Sequence, residues 1–556
     1  MTVRFKFLLS ICLPAFFFCS CDKGKEPLPP VISTEIFNFK DSKVNSVLSG
    51  STVYNVNFLP TIKLSFSAKV NRSTVAAGIS LKNNSGADIP LAPSYENSDS
   101  TVILQPVLEP VTKYTLSLSS SLRTPVNTAL SNSFTQVLVT HIDSTDKFPL
   151  ITDQALLDKV QQQTFKYFWD FGHPVSGMAR ERNTSNDLVT SGGTGFGIMA
   201  IVTAVSRNFI TRQEGADRVL KITNFLTNNC PRYHGAFAHW INGVTGETIP
   251  FSNDDNGADL VETSYLMQGL LTARQYFSTA DVVETDLRSK INLLWNGVEW
   301  SWFQQGNQNV LYWHWSPDKG WIINAKISGW NEALITYVMA ASSTTYSIPK
   351  VVYDNGWARN GAMKNNAIYF GYQLPLGPDL GGPLFFEHYS FMGINPNGLN
   401  DTYANYQSQA INHTKINYEY CRANPKQWYG YSNLCWGLTA SDVPNGYNAN
   451  APGNNDIGVI SPTAAISSIA YTPTESMNAL KFFYYKLGDK LWGSYGFFDA
   501  FSLKDPWFAT STLAIDQGPV IVMIENYRTG LLWNLFTSAP EIKNGMKNLG
   551  FRAPYL

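Results

Sequence analysis

Residues 259–277 read DLVETSYLMQGLLTARQYF. Leu260, Val261, Tyr265, Leu266, Met267, Leu270 and Leu271 fall all round a 3.6-residue helical wheel, so the segment from Leu260 to Phe277 keeps almost no face for water. Such a helix must be covered on both sides. Around it the period stays helical. Leu156, Leu157, Val160, Phe165 and Phe168 begin an amphipathic helix, and further helical segments lie near 214–228, 283–297, 329–342, 400–420, 474–487, 513–527 and 540–549. Some, such as 539–544, are polar on one face. With shorter candidates the count approaches about a dozen. Outer amphipathic helices alternating with inner apolar ones predict a closed double ring, an (α/α) toroid. Its long Gly-, Asn- and Trp-rich connections would form the rim of a cleft.

Composition narrows the class. Charged residues are 15% of the 556 and aromatic residues 13%, against about 25% charged in typical globular chains. A net charge of −1 gives no footing for nucleic acid or an anionic surface. All 15 Trp lie between Trp169 and Trp533, and only Tyr54, Tyr95 and Tyr114 precede residue 150. That asymmetry divides the chain. Over 34–142, short alternating runs (Val53–Phe58, Ile62–Phe66, Tyr114–Leu118) predict a small all-β Ig-like sandwich. It has no Trp platform for sugar and reads as a spacer. Ahead of it, 21–33 reads as a tether carrying Pro27 to Pro30. Residues 1–20 read as a signal: Arg4 and Lys6 precede the apolar run Phe7–Phe18, which is too short to span a bilayer stably. Phe18-Cys19-Ser20-Cys21 resembles a bacterial lipoprotein signal, with Cys21 lipidated and the mature chain anchored in the cell envelope. An ordinary secretory peptide is the alternative. Cys230, Cys421 and Cys435 then remain, without CxxC or metal spacing; buried free thiols are expected over a Cys421–Cys435 disulfide.

Four carboxylates stand at the starts of apolar helical segments: Asp259 with Glu262 three residues on, Glu332 in GWNE, and Asp516 in AIDQGP. In a partly dry cleft such groups have their pKa values pushed apart, so that one can be acid and another base. Glycoside hydrolysis needs that pair. Glu332, behind Trp330 and Asn331, is expected to be desolvated and to donate the proton. Asp516 is expected to be the base, with Gln517 orienting a water. Asp259 and Glu262 would hold substrate hydroxyls, or one of them is the acid or the base. Helix capping is the plainer explanation, at about 0.3–1 kcal/mol each; it suits Asp259 and Asp516 better than Glu262. Trp240, Trp313, Trp315, Trp321, Trp330, Phe386 and Tyr389, with His239, His314 and His388, are the candidate sugar contacts. Core packing would account for about half of them. Arg180-Glu181-Arg182 reads as a cleft ion pair or a surface turn, and Asp442 as a further candidate.

Other chemistries fail on context. Gly193–Gly197 lacks a preceding strand. His234 and His239 are five apart with no third ligand nearby. Asp254-Asp255-Asn256 lacks the calcium-loop pattern, and no GxSxG elbow occurs. No metal or cofactor is expected, and a monomer is.

FWDFGHPVSGMARERN (168–183), TSGGTGFG (190–197), HGAFAHWING (234–243), DDNGADLVETS (254–264), LYWHWSP (311–317), GWNE (329–332), FFEHYSF (385–391), YGYSNLCWGLTASD (429–442) and AIDQGP (514–519) resemble the glucoamylase-like bacterial proteins. Within these the resemblance is to the endo-β-1,2-glucanase family, glycoside hydrolase family 144, over about 150–556. It implies an (α/α)6 barrel, no metal, and hydrolysis of β-1,2-glucan with inversion. Endo cleavage and release of sophorose from chain ends both stay open. The competing readings are a hydrolase or lyase for another polysaccharide, and a non-catalytic surface glycan-binding lipoprotein. A lyase would want basic groups for a uronate, which the neutral charge disfavours.

Overall fold

The computed structural model describes residues 36–556. The signal, the tether and Cys21 lie outside the described residues. Two sheets form the N-terminal sandwich. One is ordered Val47–Leu48, Phe39–Val44, Ile62–Phe66, Thr101–Leu104, Ser94–Glu96; the other Thr52–Val56, Phe134–Thr140, Lys113–Leu118, Ile79–Asn83. Their alternation is the one read from sequence. Ile62, Leu64 and Phe66 point inward and are buried, whereas Lys63 between them pairs with Glu96 at 2.9 Å.

The helical part is a double ring. Its inner members are Ser191–Ser206, Leu260–Tyr276, Leu334–Ser342, Pro462–Ser467 and Ala514–Thr529, each packed against a neighbour in the ring. Asp153–Trp169, Arg212–Asn228, Val282–Asn296, Tyr406–Ala423 and Pro473–Leu491 form the outer layer, and Pro540–Leu549 covers Leu334–Ser342. Polar caps start several outer helices. Thr211 and Glu214 make a reciprocal capping box, and Thr152 and Asn405 each accept an amide of the first turn.

Two expectations change. One inner position holds no α-helix: the short 3₁₀ turns Leu384–Glu387 and Ser390–Met392 stand there, packed on their neighbours in the ring. The expected helix at 329–342 begins only at Leu334. Gly329, at φ +80°, takes a left-handed conformation and leaves Trp330–Ala333 outside the helix. Glu332 therefore sits on a turn at the mouth of the ring.

Candidate active site

Short rim ribbons and inner-helix starts converge at one end of the ring. Leu188–Thr190 pairs with Trp240–Asn242, placing Thr190 opposite Trp240. Ala258–Asp259 pairs with His314–Trp315, placing Asp259 opposite His314. Asp259 caps the Leu260 helix, its Oδ1 accepting the amides of Val261 and Glu262 at 3.0 and 2.9 Å. Its Oδ2 faces two imidazoles, 3.2 Å from His239 Nδ1 and 3.6 Å from His314 Nε2. Glu262 Oε2 accepts the Gly192 amide at 2.9 Å and the Thr190 hydroxyl at 3.2 Å. Both carboxylates are buried.

The Glu332 turn is pinned from beneath. Trp330 Nε1 donates to Glu387 Oε1 at 3.1 Å. The Ser390 hydroxyl donates to the Glu332 carbonyl, and the Asn331 side chain accepts the Ala333 amide at 2.9 Å. These bonds leave the Glu332 carboxyl facing a cavity of about 470 Å³. Glu262, Glu181 and Arg182 also line it; Trp240, Phe251, Tyr265, Trp313, Phe385, Tyr389 and Tyr447 supply most of the wall. This mixture of broad rings and few polar groups suits a sugar. The Trp240 ring meets Phe251 at 4.6 Å, and its buried Nε1 has no protein partner, so a donor is available for a hydroxyl.

The electrostatics separate these carboxyls. Burial lifts Glu332 to about 7; its own backbone amide opposes this, and the charges of Glu262 and Asp259 add to it. Burial also raises Glu262, against the attraction of His239. Asp259 goes the other way: burial would raise it, yet the His239 hydrogen bond and the His314 charge hold it below the usual range. His239 is the counterpart. Burial would lower it, but Glu262, Asp259 and Asp255 together push it up to about 9.

A second acidic cluster lies beside the first. Asp499 is fully buried, accepts the Asp442 amide at 2.6 Å, and lies beside Asp516. Burial lifts Asp499 to about 7. Burial and the Asp499 charge raise Asp516 well above the usual range. Asp442 is held by Arg182 Nη1 at 3.2 Å and by the Ser511 hydroxyl at 2.5 Å, while Arg182 Nε pairs with Glu181 at 2.8 Å.

Relatives share this arrangement of rings and rim. The Glycoamylase family model matches residues 324–540, and the Bacterial Ig-like domain model matches 40–137. The structure of an endo-β-1,2-glucanase from Chitinophaga pinensis, in complex with sophorotriose and glucose, is 48% identical. It superposes with a TM-score of 0.72, covering 73% of this chain and all of that one. The chain belongs to the endo-β-1,2-glucanase family, glycoside hydrolase family 144. A second family structure, a β-1,2-glucanase from Parabacteroides distasonis, is 38% identical with a TM-score of 0.70 and covers 94% of this chain and 74% of its own. An exo β-1,2-glucooligosaccharide sophorohydrolase (non-reducing end) from Parabacteroides distasonis is 46% identical over 427 residues. Those residues are 73% of this chain and 59% of that relative's length.

In this glucanase-family chain the structure gathers Glu332, Glu262, Glu181, His239, Trp240, Trp313 and Tyr389 on the cavity, and sets Asp259 just behind it. Other candidates fall elsewhere. Asp516 does not line the cavity; it faces a water-sized void beneath, with Oδ2 unpartnered. A carboxyl that meets this void and not the cavity holding Glu332 does not suit the expected base. Gln517 is buried and donates to the Phe497 carbonyl at 2.8 Å, so it orients no water in the cavity. Arg180 lies over the Phe171 ring and holds the Phe171 and Asn186 carbonyls. Trp315 and Trp321 pack on Trp302. Trp330 is core, Phe386 packs edge-on to Phe385, and His388 is buried against Ser468. His314 acts through Asp259 and Asp255.

Sequence reasoning missed Asp499, Thr190, Tyr265, Phe251 and Tyr447. Asp499 stands in a loop in Gly-Phe-Phe-Asp-Ala (496–500) with no periodic signal. Only the fold brings it to Asp516. Among the described residues one group could bind a cation: ligand atoms of His239, Asp255 and Asp259 lie within 4.8 Å of one another. His239, lifted to about 9, already supplies the positive charge there, and Asp259 Oδ1 is taken by two amides.

Proposed function

We propose that this protein hydrolyses β-1,2-glucan or its oligosaccharides, with Glu332 as the general acid. One observation carries the reading: a half-buried carboxyl, raised to about 7, opens into an aromatic-walled cavity beside a second carboxylate, Glu262. Near neutral pH Glu332 can hold a proton for the leaving oxygen and release it in the transition state. Glu262, on the same cavity, is the carboxylate assigned to activate water, and its charge also favours the protonated form of Glu332. Asp259 holds His239 as a charged donor for a hydroxyl. The relatives' names support the substrate, and the family resemblance supports inversion. For the N-terminus we propose a lipid anchor at Cys21 in the cell envelope, supported by Arg4, Lys6, the apolar run and Ser20-Cys21.

The test is reducing-sugar release by the purified protein lacking 1–21 on linear and cyclic β-1,2-glucan, laminarin, carboxymethyl-cellulose and starch. Release from β-1,2-glucan alone supports the reading, and product lengths then separate endo from exo cleavage. Silence on the whole panel from folded protein would sink it and favour a glycan-binding lipoprotein.

A further inference from the structure

A groove of about 510 Å³ adjoins the catalytic cavity and shares Arg182 and Tyr447 with it. Its walls are the Ala440–Val443/Gly446–Ala449 hairpin and the segment 507–511. Phe508 is committed to the core, stacked on Phe501 at 5.8 Å and 4°. Trp507 is not: it is half-buried, and no ring among the described residues packs on its indole. Tyr447 is 49% exposed at the junction of the two spaces. The polar groups between these rings are fixed in advance. Arg182 Nη1 lies 3.2 Å from both oxygens of Asp442, and the Ser511 hydroxyl holds Asp442 Oδ2 at 2.5 Å. Arg182 and Asp442 are the one cation and one anion on the groove wall and are paired with each other, Arg182 also pairing with Glu181, so no free positive charge is left there. A phosphate, a uronate or a charged peptide would meet no net opposite charge there. A neutral polyhydroxylated chain would meet ring faces and paired hydrogen-bonding groups.

We infer that this groove is a binding subsite for glucose units of the same glucan chain lying beyond the cavity, with Trp507 as its stacking platform. The inference rests on the glucanase reading above. Through the shared Arg182 and Tyr447, a chain seated at Glu332 continues into the groove, so units remote from the cleaved bond add to binding.

The test compares kcat/KM on long linear β-1,2-glucan with that on a β-1,2-linked tetrasaccharide. Trp507→Ala is expected to lower the long-to-short ratio by about 3- to 10-fold, through loss of one stacking contact. Thr510→Trp, which fills the groove from an exposed position, is expected to lower the ratio at least as much; it decides the matter alone if Trp507→Ala does not fold. An unchanged ratio in both folded variants would overturn the inference. A wild-type chain with no turnover of any β-1,2-glucan would instead remove the functional reading, and the inference with it.

Discussion

Glu332 shows how one turn of backbone sets one group's chemistry. Had the helix begun at Gly329, the carboxyl would have lain along an inner helix. The Glu387–Trp330 and Ser390–Glu332 bonds hold it at the cavity instead. Glu332→Gln is expected to lower kcat by roughly 10²–10⁴-fold with little change in KM, read in steady-state kinetics. Because the acid works protonated and titrates near 7, kcat/KM should fall as pH rises through about 7, and a pH–rate profile checks that limb. Asp499 makes a stability claim of the same kind. Its folded-state pKa of about 7 exceeds the ordinary value of about 3.9, so the folded state binds the extra proton. Stability from this group is present below about pH 4 and is lost as pH rises toward 7. Asn mimics the protonated acid, so Asp499→Asn should flatten the fall of the melting temperature between pH 5 and 8. A slope equal to wild type would exclude proton uptake at Asp499.

At the scale of elements, the inner ring depends on how closely its helices approach. A Cβ added at Gly269 would stand 2.1 Å from the Gly195 carbonyl oxygen, and one at Gly195 would stand 2.1 Å from that of Tyr265. Backbone cannot yield as a side-chain tip can. Gly269→Ala should therefore cost about 1–3 kcal/mol through overpacking, visible as a lower melting temperature even though Ala favours helix. The same crossing brings the amide of Gly192, in the first turn of Ser191–Ser206, to within 2.9 Å of Glu262 Oε2. Helix approach and site geometry are thus one constraint. The double ring was legible at this scale because apolar residues all round a helix admit only a covered position. The 3₁₀ segment at 384–392 was not, since its place in the ring follows from the bonds Glu387 and Ser390 make to other segments.

At the scale of the molecule, the described thiols are set apart from solvent by burial. Cys230, Cys421 and Cys435 are free and buried, and burial pushes Cys230 up to about 12. Reductant should leave the melting temperature unchanged; a drop would reveal a disulfide. Cys21→Ala should abolish incorporation of labelled fatty acid and release the protein from membranes, and continued labelling would reject the anchor. By itself the sequence determined the order of a β-sandwich and a ring of helices, and it singled out Asp259, Glu262 and Glu332, because periodicity and an acid in an apolar run are local signals. Tertiary structure decided which carboxyls meet. Asp516 was legible as an acid at a helix start, but its closeness to Asp499 and its place off the cavity lining depend on chain segments brought together only by folding. A pKa follows those neighbours and the water they exclude, and neither is written at the residue's own position.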